Sequence, residues 1–212
     1  RLVWQDGIQR LFTDEGEGRG HIPRAALTQW EGLPEPIFVL IDPMTPAQNP
    51  DFLGLDRLQT SQCAEEFLNH IPQVAAMTPW EFRNEPNGVR LLLNRVMERN
   101  AYVKLLGEAS LGVVHVPWRA KIDLDALIAT IAAVRYEAER REYPESLAQL
   151  VETGFLRRVP QDPFSNGSLL YKRGEGGFQL YSCGMDLDDD GGVPSRWGDG
   201  PDGGDQVFWP VR

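Results

Sequence analysis

The sequence has little of what several common functional classes require. Its longest apolar run, Ile37 to Ile41, is five residues, far short of the roughly 18 needed to span a membrane. Cysteine is scarce. Cys63 and Cys183 are the only two, too few for a disulfide framework, and we expect them not to pair. The three histidines, His21, His70 and His115, stand alone. None lies three or four residues from another His or a Cys, so no zinc site is indicated. No G-x-S-x-G elbow and no G-x-x-x-x-G-K-[ST] phosphate loop occurs. Gly16-x-Gly18-x-Gly20 has no strand before it, which argues against a dinucleotide fingerprint. Clustered Lys and Arg are missing too, and with them the footprint of a nucleic-acid-binding surface. The chain opens on Arg1 with neither an initiator Met nor a signal peptide, as expected of a trimmed or mature fragment, which leaves room for an upstream anchor outside it.

What is present suits an ordinary globular protein. Hydrophobic residues make up 42% and charged residues 25% of 212 positions, enough to bury a real core in one or two domains. The net charge of −10 is unevenly spread. Residues 174–212 hold eight acidic side chains against Arg196 and Arg212. That concentration suits a local cation site better than a uniformly solvated surface.

The acidic stretch has a pattern. Asp186, Asp188 and Asp190 recur at every second position, followed by Gly191 and Gly192. A hard cation such as calcium takes several oxygen ligands at about 2.3–2.6 Å, and a D-x-D-x-D-G run brings three carboxylates toward one point. Gly191 permits a sharp turn, and Gly192 is placed to offer its carbonyl. The EF-hand pattern then fails, because Trp197 stands where a bidentate Glu belongs. A later ligand must close the site, with Asp199, Asp202 and Asp205 as candidates. The segment Thr13–His21 resembles a degenerate second loop, but Arg19 at a ligand position favours a polar loop ahead of a short helix over 24–30.

Elsewhere the periodicity predicts an α+β chain. Helices are expected over 2–12 (Trp4, Ile8, Leu11 and Phe12), from Leu53 to His70 and from Val89 to Leu106. Thr78-Pro79 is a helix-start signal. The run 37–41 fits a buried strand or a helical turn. Gly107 to Trp118 reads as irregular, giving a mainly helical region over 1–118 and an α+β domain over 119–212. In the latter, a helix from Ile122 to Arg141 carries the apolar stripe Leu124, Leu127, Ile128, Ile131 and Val134. A short helix through Leu147 and Leu150 follows, then the turn VPQDPF over 159–164. Leu169–Lys172 and Phe178–Ser182 form a hairpin around a Gly-rich turn, and Gln206–Trp209 adds a strand. The helix is expected to pack on this small antiparallel sheet.

This order (amphipathic helix, YPESLAQLV, VPQDPF, hairpin, YSCGMDLDDDGG) resembles the C-terminal half of the major pseudopilins of type II secretion systems, over roughly 121–207. The resemblance implies one bound calcium ion in a periplasmic or extracellular, non-enzymatic domain with a structural, assembly or secretion-related role. Its expected partners are other pilin-like or surface proteins, and any membrane contact would run through an anchor outside this chain. Carried over, Asp186 matches the first loop aspartate and Asp205 the closing one, with Leu180 or Ser182 for a backbone carbonyl. The chain departs in its extra aspartates at 188 and 190, in a longer loop through Trp197, and in lacking an N-terminal apolar assembly helix. The metal ligands expected are thus Asp186, Asp188, Asp190, Gly192 and Asp205. Two other classes stay open. One is an enzyme with its site in the helical half; the other is a peptide- or glycan-binding module marked by exposed Trp80, Trp118 or Trp197.

Overall fold

The structure, a computed structural model, describes residues 2–23, 52, 54–86, 88–194 and 203–210. The expected helix over 24–30, the apolar run 37–41, and Trp197, Asp199 and Asp202 lie outside the described residues. The chain divides into two compact units, 1–76 with 85–114, and 77–84 with 115–212.

The first unit is helical: α1 (Leu2–Leu11), α2 (Arg57–Ala76), α4 (Val89–Glu98) and α5 (Ala101–Val114). Trp4, Ile8, Leu11 and Phe12 are all buried, as their spacing predicts. Trp4 stacks on Phe67 at 5.3 Å and meets Tyr102 edge-on at 6.2 Å. Gly7 weakens α1 by propensity, but a Cβ there would collide with the Tyr102 hydroxyl. It is the seat for that ring. Two expectations need correction. The second helix does not stop at His70 but continues through Pro72 to Ala76. The helix expected over 89–106 is broken, because buried Asn100 accepts from Val103 N through Oδ1 and donates to Thr60 Oγ1 at 2.9 Å. An Asn capping the next helix competes with continuation of the last. The stretch 107–118 is correspondingly helical and not irregular, with α5 running to Val114 and α6 starting at Val116.

The second unit contains α3 (Pro79–Arg83), α6 (Val116–Arg140), α7 (Leu147–Glu152) and a three-stranded antiparallel sheet. Its strands β1 (Leu170–Gly174), β2 (Gly177–Ser182) and β3 (Gln206–Trp209) lie in the order β1-β2-β3. The hairpin register pairs Leu170 with Tyr181 and Gly174 with Gly177, and β3 pairs on the other side of β2. This is the α+β arrangement expected. Phe178 is the hub of an aromatic row, stacked on Tyr171 at 5.3 Å and on Trp209 at 5.7 Å.

The buried face of α6 differs from its apolar stripe. Ile122, Ala126, Ala129, Ala132, Ala133 and Tyr136 join the core with Leu150, Phe164 and Leu180. Leu124, Leu127, Ile128 and Ile131 are each about half exposed, at 57, 55, 47 and 52%. Alanines admit close approach of the neighbouring elements where larger residues would hold them off. The large aliphatic side chains are left on the outer face.

Candidate functional site

The acidic loop leaves the end of β2 and returns as β3, so its two ends are neighbours. Asp205 N donates to Val193 O at 2.8 Å, and residues 194 and 205 form a short parallel bridge. Gly184 has φ 71°, and a Cβ there would lie 3.1 Å from Gly204 O. Both features, a left-handed backbone and a close crossing, call for glycine.

Within this frame Asp186 and Asp205 have definite tasks. Asp186 Oδ2 accepts from Gly204 N at 2.7 Å and its Oδ1 from Asp188 N at 3.2 Å. Asp205 is fully buried, and its Oδ2 accepts from Gly192 N at 2.6 Å. Its second oxygen, Oδ1, is buried and makes no hydrogen bond of good geometry, although the Asp190 N–H lies near enough to lower the carboxyl's pKa. Burial pushes the Asp205 carboxyl above the usual Asp range, against the Gly192 and Asp190 N–H groups that pull it down.

The remaining loop contacts come from groups the sequence pattern did not single out. Lys172 Nζ on β1 donates to Gly191 O at 2.9 Å and sits 4.9 Å from the Tyr181 ring centroid. Gln179 on β2 donates to Gly192 O at 2.7 Å, and Arg83 donates to Asp186 O at 2.6 Å. Positive-φ glycines at 191 and 192 (77° and 87°) make these carbonyls available. Below the loop, Asp162 of the VPQDPF turn is buried and accepts three bonds, from Phe164 N, Ser182 Oγ and Cys183 N. It ties the turn to the start of the loop. Strand alternation gives a signal for two of these, because Lys172 and Gln179 are cross-strand partners and share a face of the hairpin with Tyr181.

The predicted ligands are therefore placed unevenly. Asp186, Gly192 and Asp205 share one hydrogen-bonded frame. Asp188 and Asp190 are exposed, and Asp188 Oδ1 accepts from the adjacent Asp189 N. Among the described residues no group of three or more His, Cys, Asp or Glu side chains is placed to hold a metal ion. The donors at hand are Asp205 Oδ1 and loop carbonyls. Compared with protein families, curated proteins and solved structures, the chain matches none.

The other expected features are dispersed. In Thr13–His21 the loop closes on itself: Thr13 N donates to His21 O at 2.9 Å, and Glu15 pairs with His21. Glu15 is thus engaged away from any ligand role. His115 packs on Phe82 at 5.8 Å, and desolvation lowers its pKa. Cys63 and Cys183 are buried free thiols, and burial raises Cys183 to about 12, so it is no nucleophile near neutral pH.

Proposed function

We propose that this chain is a non-catalytic, extracytoplasmic calcium-binding domain with a structural role in assembly, as its pseudopilin-like order of elements implies. The observation that carries the calcium reading is Asp205: a fully buried carboxylate with one oxygen paired to Gly192 N and the other without a hydrogen bond of good geometry. A buried carboxylate oxygen so poorly paired is costly, and a cation is the partner that removes the cost. Asp186 and the loop carbonyls supply further oxygen ligands, with Asp188 and Asp190 as exposed carboxylates at the rim. The ion would tie the loop to β3 and so bind the folded chain preferentially. The exposed stripe of α6 supports the assembly role, since its 124, 127, 131, 134 spacing suits a seam against an apolar helix of a pilin-like partner.

The test is thermal unfolding with and without calcium. For a dissociation constant of about 0.1 mM, roughly 2 mM calcium stabilises the fold by about 1.8 kcal/mol. Asp205→Asn is expected to abolish the calcium-dependent rise in melting temperature. A wild-type protein whose melting temperature ignores calcium would sink the reading.

A further inference from the structure

The second unit also carries a cleft, which shares Asp162 with the base of the acidic loop. The cleft, of about 330 Å³, opens between the start of α3, the first turns of α6 and the VPQDPF turn. Trp80 and Trp118 both line it, together with Arg158, Gln161 and Asn166. Its walls are fixed. Thr78 and Glu81 form a reciprocal cap at the start of α3, Trp80 N donates to Pro163 O at 3.2 Å, and Asp162 holds the turn. Ligand sites are usually preformed in this way, and the volume is at the small end of their range.

The polar groups in the cleft divide into two kinds. Glu81 is bonded to Thr78 N, Lys121 to Asp125, and the Asp162 carboxylate to its three donors. These are spoken for. Arg158, Gln161 and Asn166 have no side-chain hydrogen bond or ion pair among the described residues, and neither indole N–H has one. Two tryptophans therefore line one cleft together with two side-chain amides and a guanidinium that has no ion-pair partner among the described residues.

We propose that this cleft binds a short acidic saccharide, a uronate-containing mono- or disaccharide. Indole faces stack against the C–H faces of a sugar ring, and amides bridge vicinal hydroxyls with one donor and one acceptor each. The unpaired Arg158 matches a carboxylate through two parallel N–H···O bonds. A proline-rich peptide would offer carbonyls to the tryptophans and amides but no carboxylate to Arg158. The saccharide uses all five.

The test is titration of the full, isotope-labelled chain with digalacturonate, with lactose and a proline-rich peptide as comparisons, in chelator. Chelator removes calcium, so failure here is separable from failure of the calcium reading. The indole N–H signals of Trp80 and Trp118, assigned by Trp→Phe variants, are expected to shift with digalacturonate while those of the other four tryptophans stay put. Arg158→Gln, an exposed change, should weaken digalacturonate binding about tenfold or more, the loss of one charge-assisted pair. Its unchanged circular dichroism would show the fold intact. No indole shift at millimolar digalacturonate would overturn the proposal. So would equal binding by Arg158→Gln, or shifts with the peptide and not the sugar.

Discussion

Asp162 and Asp205 are both buried carboxylates in the second unit, yet their circumstances differ. Asp162 has its acceptors filled by two backbone N–H groups and a hydroxyl. Asp162→Asn would turn an amide toward a backbone donor, and leaving a buried donor unpaired costs about 1–3 kcal/mol. Urea unfolding at neutral pH should show that loss as a lower midpoint with unchanged slope. Burial, only partly offset by these bonds, raises the Asp162 pKa. The native state then holds this proton more tightly than the unfolded chain, so its contribution to stability falls as pH rises through the window above the ordinary value of about 3.9. The advantage of wild type over Asp162→Asn should therefore grow as pH is lowered through that window and be flat above it. Asp205 was named from the sequence as an expected closing ligand; its complete burial at the end of the loop was not legible, because burial depends on what lies around it.

At the scale of the element, α6 is the informative case. Its 3.6-residue period was plain in the sequence, and its extent, Val116–Arg140, is close to the expected 122–141 with extra turns at the start. Which face turned inward was not legible. Hydrophobicity favours burying Leu124, Leu127, Ile128 and Ile131, but the alanine face is the one in the core. The expected outcome inverts a reading by hydrophobicity. Ala133→Leu, at 0% exposure, should destabilise by about 1–3 kcal/mol through overpacking. Ile131→Glu, at an exposed position, should stay within about 0.5 kcal/mol of wild type. Chemical denaturation of both variants checks the pair, and a larger loss for Ile131→Glu would mean that the stripe is covered within the chain.

At the scale of the molecule, a ligand held by one of the two compact units is expected to act on that unit. Calcium is expected to slow amide exchange in β2, β3 and residues 183–194, and to leave α2, α4 and α5 unchanged, as hydrogen exchange with mass-spectrometric readout would show. Protection spread evenly over both units would contradict this.

By itself the sequence determined much of where regular structure occurs among the described residues, 107–118 excepted: helices by their period, the hairpin by Gly174 to Gly177, and the acidic turn by its aspartates and glycines. These are local properties, set by backbone preferences within a few residues. Only the tertiary structure decided the rest. It broke 89–106 at Asn100 because Thr60, forty residues away, takes the Asn side chain. It brought Asp205 to Gly192, Lys172 to Gly191, and Trp80 beside Trp118, pairings that no spacing encodes. It also turned the alanines of α6 inward, because a buried face is chosen by the shape that fits against it as well as by transfer out of water.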